Sequence, residues 1–196
     1  MRNIALLNID IAAIRSVVIS HEHWDHIGGL WKLLEQGSGI KVYACPGFSQ
    51  GFKEKVESFK GILLESDKFS QIEENIFLTG EIAGTYKGEY LAEQALVIKT
   101  EKGLNVITGC SHPGIINILE RIKQDFPQDV IYSVFGGFHL KDKDSACIQK
   151  IAEKFIELKI KRIGATHCSG QEAESLFEKL YKTNFISGEV GSEFEL

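Results

Sequence analysis

No apolar run in the 196 residues approaches the ~20 needed to cross a bilayer, so no membrane-spanning helix is expected. Positive charge is also scarce. Lys and Arg number 22 against 27 Asp and Glu, a formal net charge of −5. That balance argues against non-specific partnership with nucleic acid or an anionic membrane, both of which need clustered cations. Three prolines do not make a linker, and neither an internal repeat nor a low-complexity stretch interrupts the chain. The four cysteines, Cys45, Cys110, Cys147 and Cys168, form no C-x-x-C pair and no spacing typical of a secreted scaffold. Reduced thiols in a cytoplasmic protein are the expectation. The opening MRNIALLNIDIAAIRSVV has one early Arg, and Asn8 and Asp10 interrupt its apolar run, so it reads as mature protein.

What is present suits one globular domain over residues 1–196. Hydrophobic residues make up 43% and charged residues 25%. The second half alternates between two periodicities. Ala95–Thr100 and Leu104–Thr108 read as strands of a hairpin turning at Glu101-Lys102-Gly103. Ile115, Ile116, Ile118, Leu119 and Ile122 recur at helical spacing. Val130–Phe135 reads as a buried strand, followed by a helix with Ile148, Ile151, Phe155 and Ile156 on one face. Arg162–Thr166 is a further strand and Ala173–Tyr181 a further helix. In the first half, strands are expected at Ser16–Ser20, Lys41–Ala44, Ile62–Leu64 and Ile76–Thr79. A helix is expected to begin near Leu30 and another to run from Phe48 to Phe59. The glycine-bearing EIAGTYKGEY, residues 81–90, reads as a mobile surface loop. This order predicts an α/β domain.

The histidines carry the chemistry. SHEHWDHIGGL, Ser20–Leu30, holds His21, His23 and His26, with Asp25 among them. The other three are His112 in GCSHPG, His139 in GGFHL and His167 in ATHCSG, each placed after a predicted strand. Strand ends of an open α/β sheet converge on one edge, the usual ligand crevice. Six unrelated core or capping histidines would not be expected to collect at strand ends. Neutral imidazole is a common ligand for zinc and suits iron too. His21 and His23, two apart on an extended segment, point the same way and can grip one ion. Asp25 and His26, beyond the bend, can face a second. The sharp reading is therefore a binuclear site that activates a water or hydroxide. Gly28 and Gly29 read as a tight turn into the helix, leaving room over the ions; as ordinary turn residues they fit equally well.

The run His21-x-His23-x-Asp25-His26 followed by Gly28-Gly29 resembles the signature of the metallo-β-lactamase superfamily. GCSH, GGFHL and THCSG resemble one branch of it, named for an archaeal dihydropterin ribofuranosyl-aminobenzene phosphate synthase and rich in metal-dependent hydrolases. The resemblance runs from about Ile11 onward. It implies an αβ/βα sandwich with a dimetal site at one sheet edge, holding two divalent ions: zinc, with iron or manganese as alternatives. It implies His21, His23 and His112 as ligands of one ion, and Asp25, His26 and His167 as ligands of the other. Many members carry a bridging Asp at a strand end in the second half. Here those positions offer Cys110, His112 and His139 and no Asp. His139 is thus a ligand, a donor to substrate phosphate or a proton shuttle. Cys110 and Cys168 read as small buried residues, as groups standing behind the ligands, or as soft ligands.

The chain also departs from the pattern. Members usually open with a strand hairpin ending in a Phe-Asp-Thr-Gly-like turn. Asn8-Ile9-Asp10 is no close equivalent, so a first sheet short of its outer strands is expected. A second copy of the chain covering that edge, a homo-oligomer, is the expectation. The stretch YKGEYLAEQAL is short for the branch, and Tyr86, Lys87 and Tyr90 read as loop residues or as contacts to a phosphate or ring. The leading function is hydrolysis of a small-molecule phosphoester or phosphodiester, with Asp25 and His139 as catalytic residues. A lactone or other ester is a further substrate class. The competing classes are a metal-binding protein without turnover, a pterin-related synthase, and a redox or synthase role with iron in place of zinc.

Overall fold

Short runs of branched apolar residues, separated by amphipathic helices, build two sheets of unequal size. The computed structural model describes residues 2–196. Helix α1 (Arg2–Leu6) leads to a 3₁₀ turn at Ile11–Ala13, capped by Asp10, whose carboxylate accepts from the Ala12 N–H at 3.0 Å. Strand β1 (Ser16–Val18), helix α2 (Trp24–Gln36), β2 (Lys41–Ala44), α3 (Gln50–Ser58) and β3 (Ile62–Glu65) follow. The three strands pair in parallel in the order β1-β2-β3. Parallel neighbours need a crossover, and α2 and α3 supply it. They bury Leu30, Leu33, Leu34, Phe52 and Val56 over Val42 and Ala44. Ser49 fixes the start of α3 by accepting from the Phe52 N–H at 3.2 Å.

The chain then crosses to β4 (Ser70–Glu73) and β5 (Ile76–Leu78), forms the separate hairpin β6 (Ile82–Tyr86) and β7 (Glu89–Glu93), and returns through β8 (Leu96–Thr100) and β9 (Gly103–Ile107). Helix α4 (Ile115–Asp125), β10 (Ile131–Gly137), α5 (Ser145–Glu157), β11 (Arg162–Thr166) and α6 (Gln171–Tyr181) complete the order. The larger sheet runs β11-β10-β9-β8-β5-β4, with β9, β10 and β11 mutually parallel. Ile115, Ile118, Leu119 and Ile122 of α4 are buried with Phe155 of α5 and Phe177 of α6. Burial of the four α4 side chains contributes roughly 6–12 kcal/mol of gross transfer free energy, before the entropy of ordering them is subtracted. Helices lie outside both sheets, and the first sheet holds three strands against six: an αβ/βα sandwich with a short first sheet.

Two expectations change, and one strand is new. First, α2 begins at Trp24, not near Leu30. Extended His23 (φ −67°, ψ 146°) caps it, and Asp25 in the first turn complements the positive end of the helix dipole. Gly28 and Gly29 therefore lie within the helix, and a Cβ on either would meet nothing within 4 Å. Second, residues 81–90 fall in a paired hairpin rather than a loop. Lys87 (φ 51°) and Gly88 (φ 84°) both take left-handed conformations at its turn, as a tight two-residue connection requires. The new one, Ser70–Glu73, is an edge strand that its weak pattern did not signal.

Candidate metal centre

Every predicted site segment leaves the carboxyl end of a parallel strand. His21 and His23 follow β1, and Asp25 and His26 occupy the first turn of α2. His112, His139 and His167 follow β9, β10 and β11, neighbours in the larger sheet. The turns there are tight: Ser111, His139 and His167 have φ of 64°, 53° and 54°. Leu140 and Lys141 N–H groups donate to the Cys168 carbonyl at 3.1 and 3.2 Å, tying the last two turns together. Gly137 permits the crossing, because a Cβ there would lie 2.5 Å from the Gly109 carbonyl oxygen and 2.6 Å from Cys168 Sγ.

The result is a continuous cluster of imidazoles. The His21 ring centroid lies 4.7 Å from His23, 4.0 Å from His26 and 4.9 Å from His112. His26 and His167 are 5.1 Å apart. The donor atoms of His21, His23 and His112 all lie within 4.8 Å of one another, and so do those of Asp25, His26 and His167. These are the two sets expected for the two ions. Asp25 Oδ2 is 3.5 Å from His26 Nε2 and 3.4 Å from His167 Nε2. His139 is in neither set. It packs against His112 at 4.4 Å between centroids, with its Nδ1 buried and without a hydrogen-bond partner. Cys110 joins further groups: Sγ is 3.2 Å from His26 Nε2 and close to His21, and it also meets His167 and Cys168.

Burial sets the protonation. Loss of hydration pulls the His21 pKa down to about 2, and the neighbouring imidazoles push the same way. His112 falls to about 4, first through burial and then through His139 and its other neighbours. Burial lowers His26 and His139 too. Neutral rings keep a lone pair for a cation. Both ring nitrogens of His112 are buried without a hydrogen-bond partner, costly unless something binds there. His21 Nε2 and His23 Nδ1 face each other at 3.1 Å, while His21 Nδ1 is held by Ser20 Oγ at 3.0 Å. Neutral, convergent, orphaned nitrogens beside one carboxylate fit divalent metal ions.

Behind the rings sits Glu93, which no motif or periodicity singles out. Its Oε1 accepts from the Cys110 N–H at 3.0 Å and the Ser111 N–H at 2.7 Å, and its Oε2 from the His112 N–H at 2.7 Å. Burial pushes this carboxyl up, against the pull of the three amides. Tyr86 of the β6–β7 hairpin lies edge-on to His23 and His112, at 4.5 and 5.5 Å. The hairpin expected to be a loop therefore reaches the site. The Cys110 thiol is pushed up by its hydrogen bond with Cys168 and by burial, and the same bond draws Cys168 down. Beside the cluster, a cavity of about 370 Å³ opens between the sheets, walled in part by Val18, Leu96, Ile107, Phe135, His26 and His167.

Residues 1–118, which include the run from His21 to His112, match the family model of the metallo-β-lactamase superfamily. The chain belongs to this superfamily. It is 30% identical to the 7,8-dihydropterin-6-methyl-4-(β-D-ribofuranosyl)-aminobenzene-5′-phosphate synthase of Methanocaldococcus jannaschii, over 93% of this chain and 76% of the synthase. The crystal structure of a metal-dependent hydrolase of the β-lactamase superfamily superposes with a TM-score of 0.83 at 31% identity, covering 100% of this chain and 84% of that one. An isothiocyanate hydrolase from Delia radicum gut bacteria shares the fold, with a TM-score of 0.64 at 11% identity over 96% and 80% of the two chains. This metallo-β-lactamase superfamily chain is an enzyme, and the superfamily usually binds divalent metals. Among the described residues no helix is long and apolar enough to cross a membrane.

Proposed function

We propose that the chain is a metal-dependent hydrolase that cleaves a phosphoester or phosphodiester of a small molecule, using two divalent ions, zinc in the first instance. The observation that carries this reading is the pair of donor sets, His21/His23/His112 and Asp25/His26/His167, at one sheet edge. Bound there, two cations supply Lewis acidity and a lowered pKa for water. The chain's own groups do the rest. Asp25, between His26 and His167, contributes the negative charge that holds the second set together and accepts a proton from the attacking water. His139, neutral and beside His112, can donate its ring N–H as a hydrogen bond to the leaving oxygen, which takes its proton from water. Tyr86 closes one side of the site. Turnover of an aryl phosphodiester, abolished in Asp25→Ala and His112→Ala while both variants stay folded, is the expected result. Full metal occupancy without turnover across esters and phosphoesters would refute it.

A second reading, a pterin-related synthase, is favoured by the 30% identity to the archaeal enzyme. Formation of the pterin ribofuranosyl-aminobenzene phosphate product named for that enzyme, with no turnover of an aryl phosphodiester, would select it. The proposal includes cytoplasmic action, in keeping with four free thiols, with a small-molecule substrate and neither nucleic acid nor membrane as partner. It includes a second copy against the free edge of β1, so that sedimentation as a clean monomer would count against it.

A further inference from the structure

We infer that Cys110 is a thiolate ligand shared between the two donor sets, which makes the centre a mixed histidine–thiolate site selective for a thiophilic divalent cation. The inference rests on the two-cation reading above. Its geometric basis is the position of Sγ, 3.2 Å from His26 Nε2. It lies within 4.8 Å of a donor of His21, from the first set, and of His26 and His167, from the second. A donor that reaches both sets occupies a bridging position.

Charge points the same way. Two divalent cations bring four positive charges, and the two sets answer with neutral imidazoles and one carboxylate, Asp25. Glu93 adds a further carboxyl behind His21, with its oxygens committed to backbone amides. The larger sheet places no other acid at these strand ends, where Cys110, His112 and His139 stand instead. A coordinated thiol is deprotonated, so Cys110 would bring the missing negative charge to the point between the sets.

The backbone holds Cys110 in place. Glu93 accepts from its N–H, and the Cys168 thiol donates to its carbonyl at 3.5 Å. Cys168 is therefore a positioning residue. Thiolate donors favour zinc, cobalt or ferrous iron over manganese and magnesium, which prefer oxygen.

The test is reconstitution of metal-free protein with Co(II), read by absorbance and by bound metal per chain. The wild type should show a sulfur-to-cobalt charge-transfer band in the near ultraviolet. Cys110→Ser should lose that band, whereas Cys168→Ser should keep it. Cys110→Asp should restore occupancy without the band and move the zinc-over-manganese preference at least tenfold toward manganese. Wild-type protein that binds cobalt through nitrogen and oxygen alone overturns the inference, whether or not any variant folds. Wild-type protein that binds no cobalt overturns the two-cation reading itself. The two failures are therefore distinct.

Discussion

Glu93→Gln changes one charge and almost no volume, at a position 1% exposed. The carboxylate accepts three backbone N–H groups, from Cys110, Ser111 and His112, at 2.7–3.0 Å. Hydrogen bonds to a charged acceptor contribute about 1.5–3 kcal/mol each, against about 0.5–1.5 for neutral ones. Gln keeps a single acceptor oxygen, so two bonds weaken by about 1 kcal/mol each. The third N–H then faces an amide NH₂, and an unpaired buried donor costs about 1–3 kcal/mol. Relief from burying a charge offsets part of this. The net expectation is a loss of about 2–4 kcal/mol, read as a lower urea midpoint in metal-free protein. Because the three amides belong to the segment that carries His112, metal affinity should also fall, by about 10–100-fold in chelator competition. An unchanged midpoint together with unchanged affinity would refute the clamp. A stability loss with wild-type affinity would show that Glu93 supports the fold but does not position the ligand.

Three further outcomes follow from the same geometry. Metal-free protein should lose stability as pH falls below 6.5. His21 and His112, with pKa values near 2 and 4 in the folded state, stay neutral there while the unfolded chain takes up protons; the fully buried His21 alone gives a slope of up to about 1.4 kcal/mol per pH unit, and urea midpoints that do not change between pH 7 and 5 would contradict it. Gly137→Ala should cost about 1–3 kcal/mol and weaken metal binding, because its methyl would press on the Gly109 carbonyl and Cys168 Sγ; wild-type melting would refute the close crossing. Gly28→Ala should stabilise by about 1 kcal/mol with metal occupancy intact, since Gly28 is helical with open space around it; a destabilised variant would restore the view that this glycine makes a turn.

The parts of this molecule legible from sequence are those whose signal is local and repeated. Branched runs at 96–100 and 103–107 make a hairpin, and isoleucines at 115, 118 and 122 make a helix face. The histidine convergence was legible because each ring follows a strand, and parallel strands deliver their ends to one edge. The start of α2 is not, because Gly28-Gly29 reads as a break, while the helix runs through both from Trp24 with Asp25 in its first turn. The β6–β7 hairpin carries mostly exposed residues, so its alternation is faint; Lys87-Gly88 was the available signal. Glu93 looks like any acidic residue until the fold brings to it the amides of a loop 17 to 19 positions away. From sequence Cys110 reads equally as a small buried residue, a group behind the ligands or a soft ligand, since nothing in its neighbourhood of sequence shows His26, 84 positions earlier, lying against its sulfur.

The central claim is that His21, His23, Asp25, His26, His112 and His167 enclose two cations. Crystals of zinc-loaded protein, measured on either side of the zinc absorption edge, test it most directly. Two anomalous peaks are expected, one among His21, His23 and His112 and the other among Asp25, His26 and His167. A fully loaded protein with no peak at these residues, or with its zinc bound elsewhere on the chain, would contradict it.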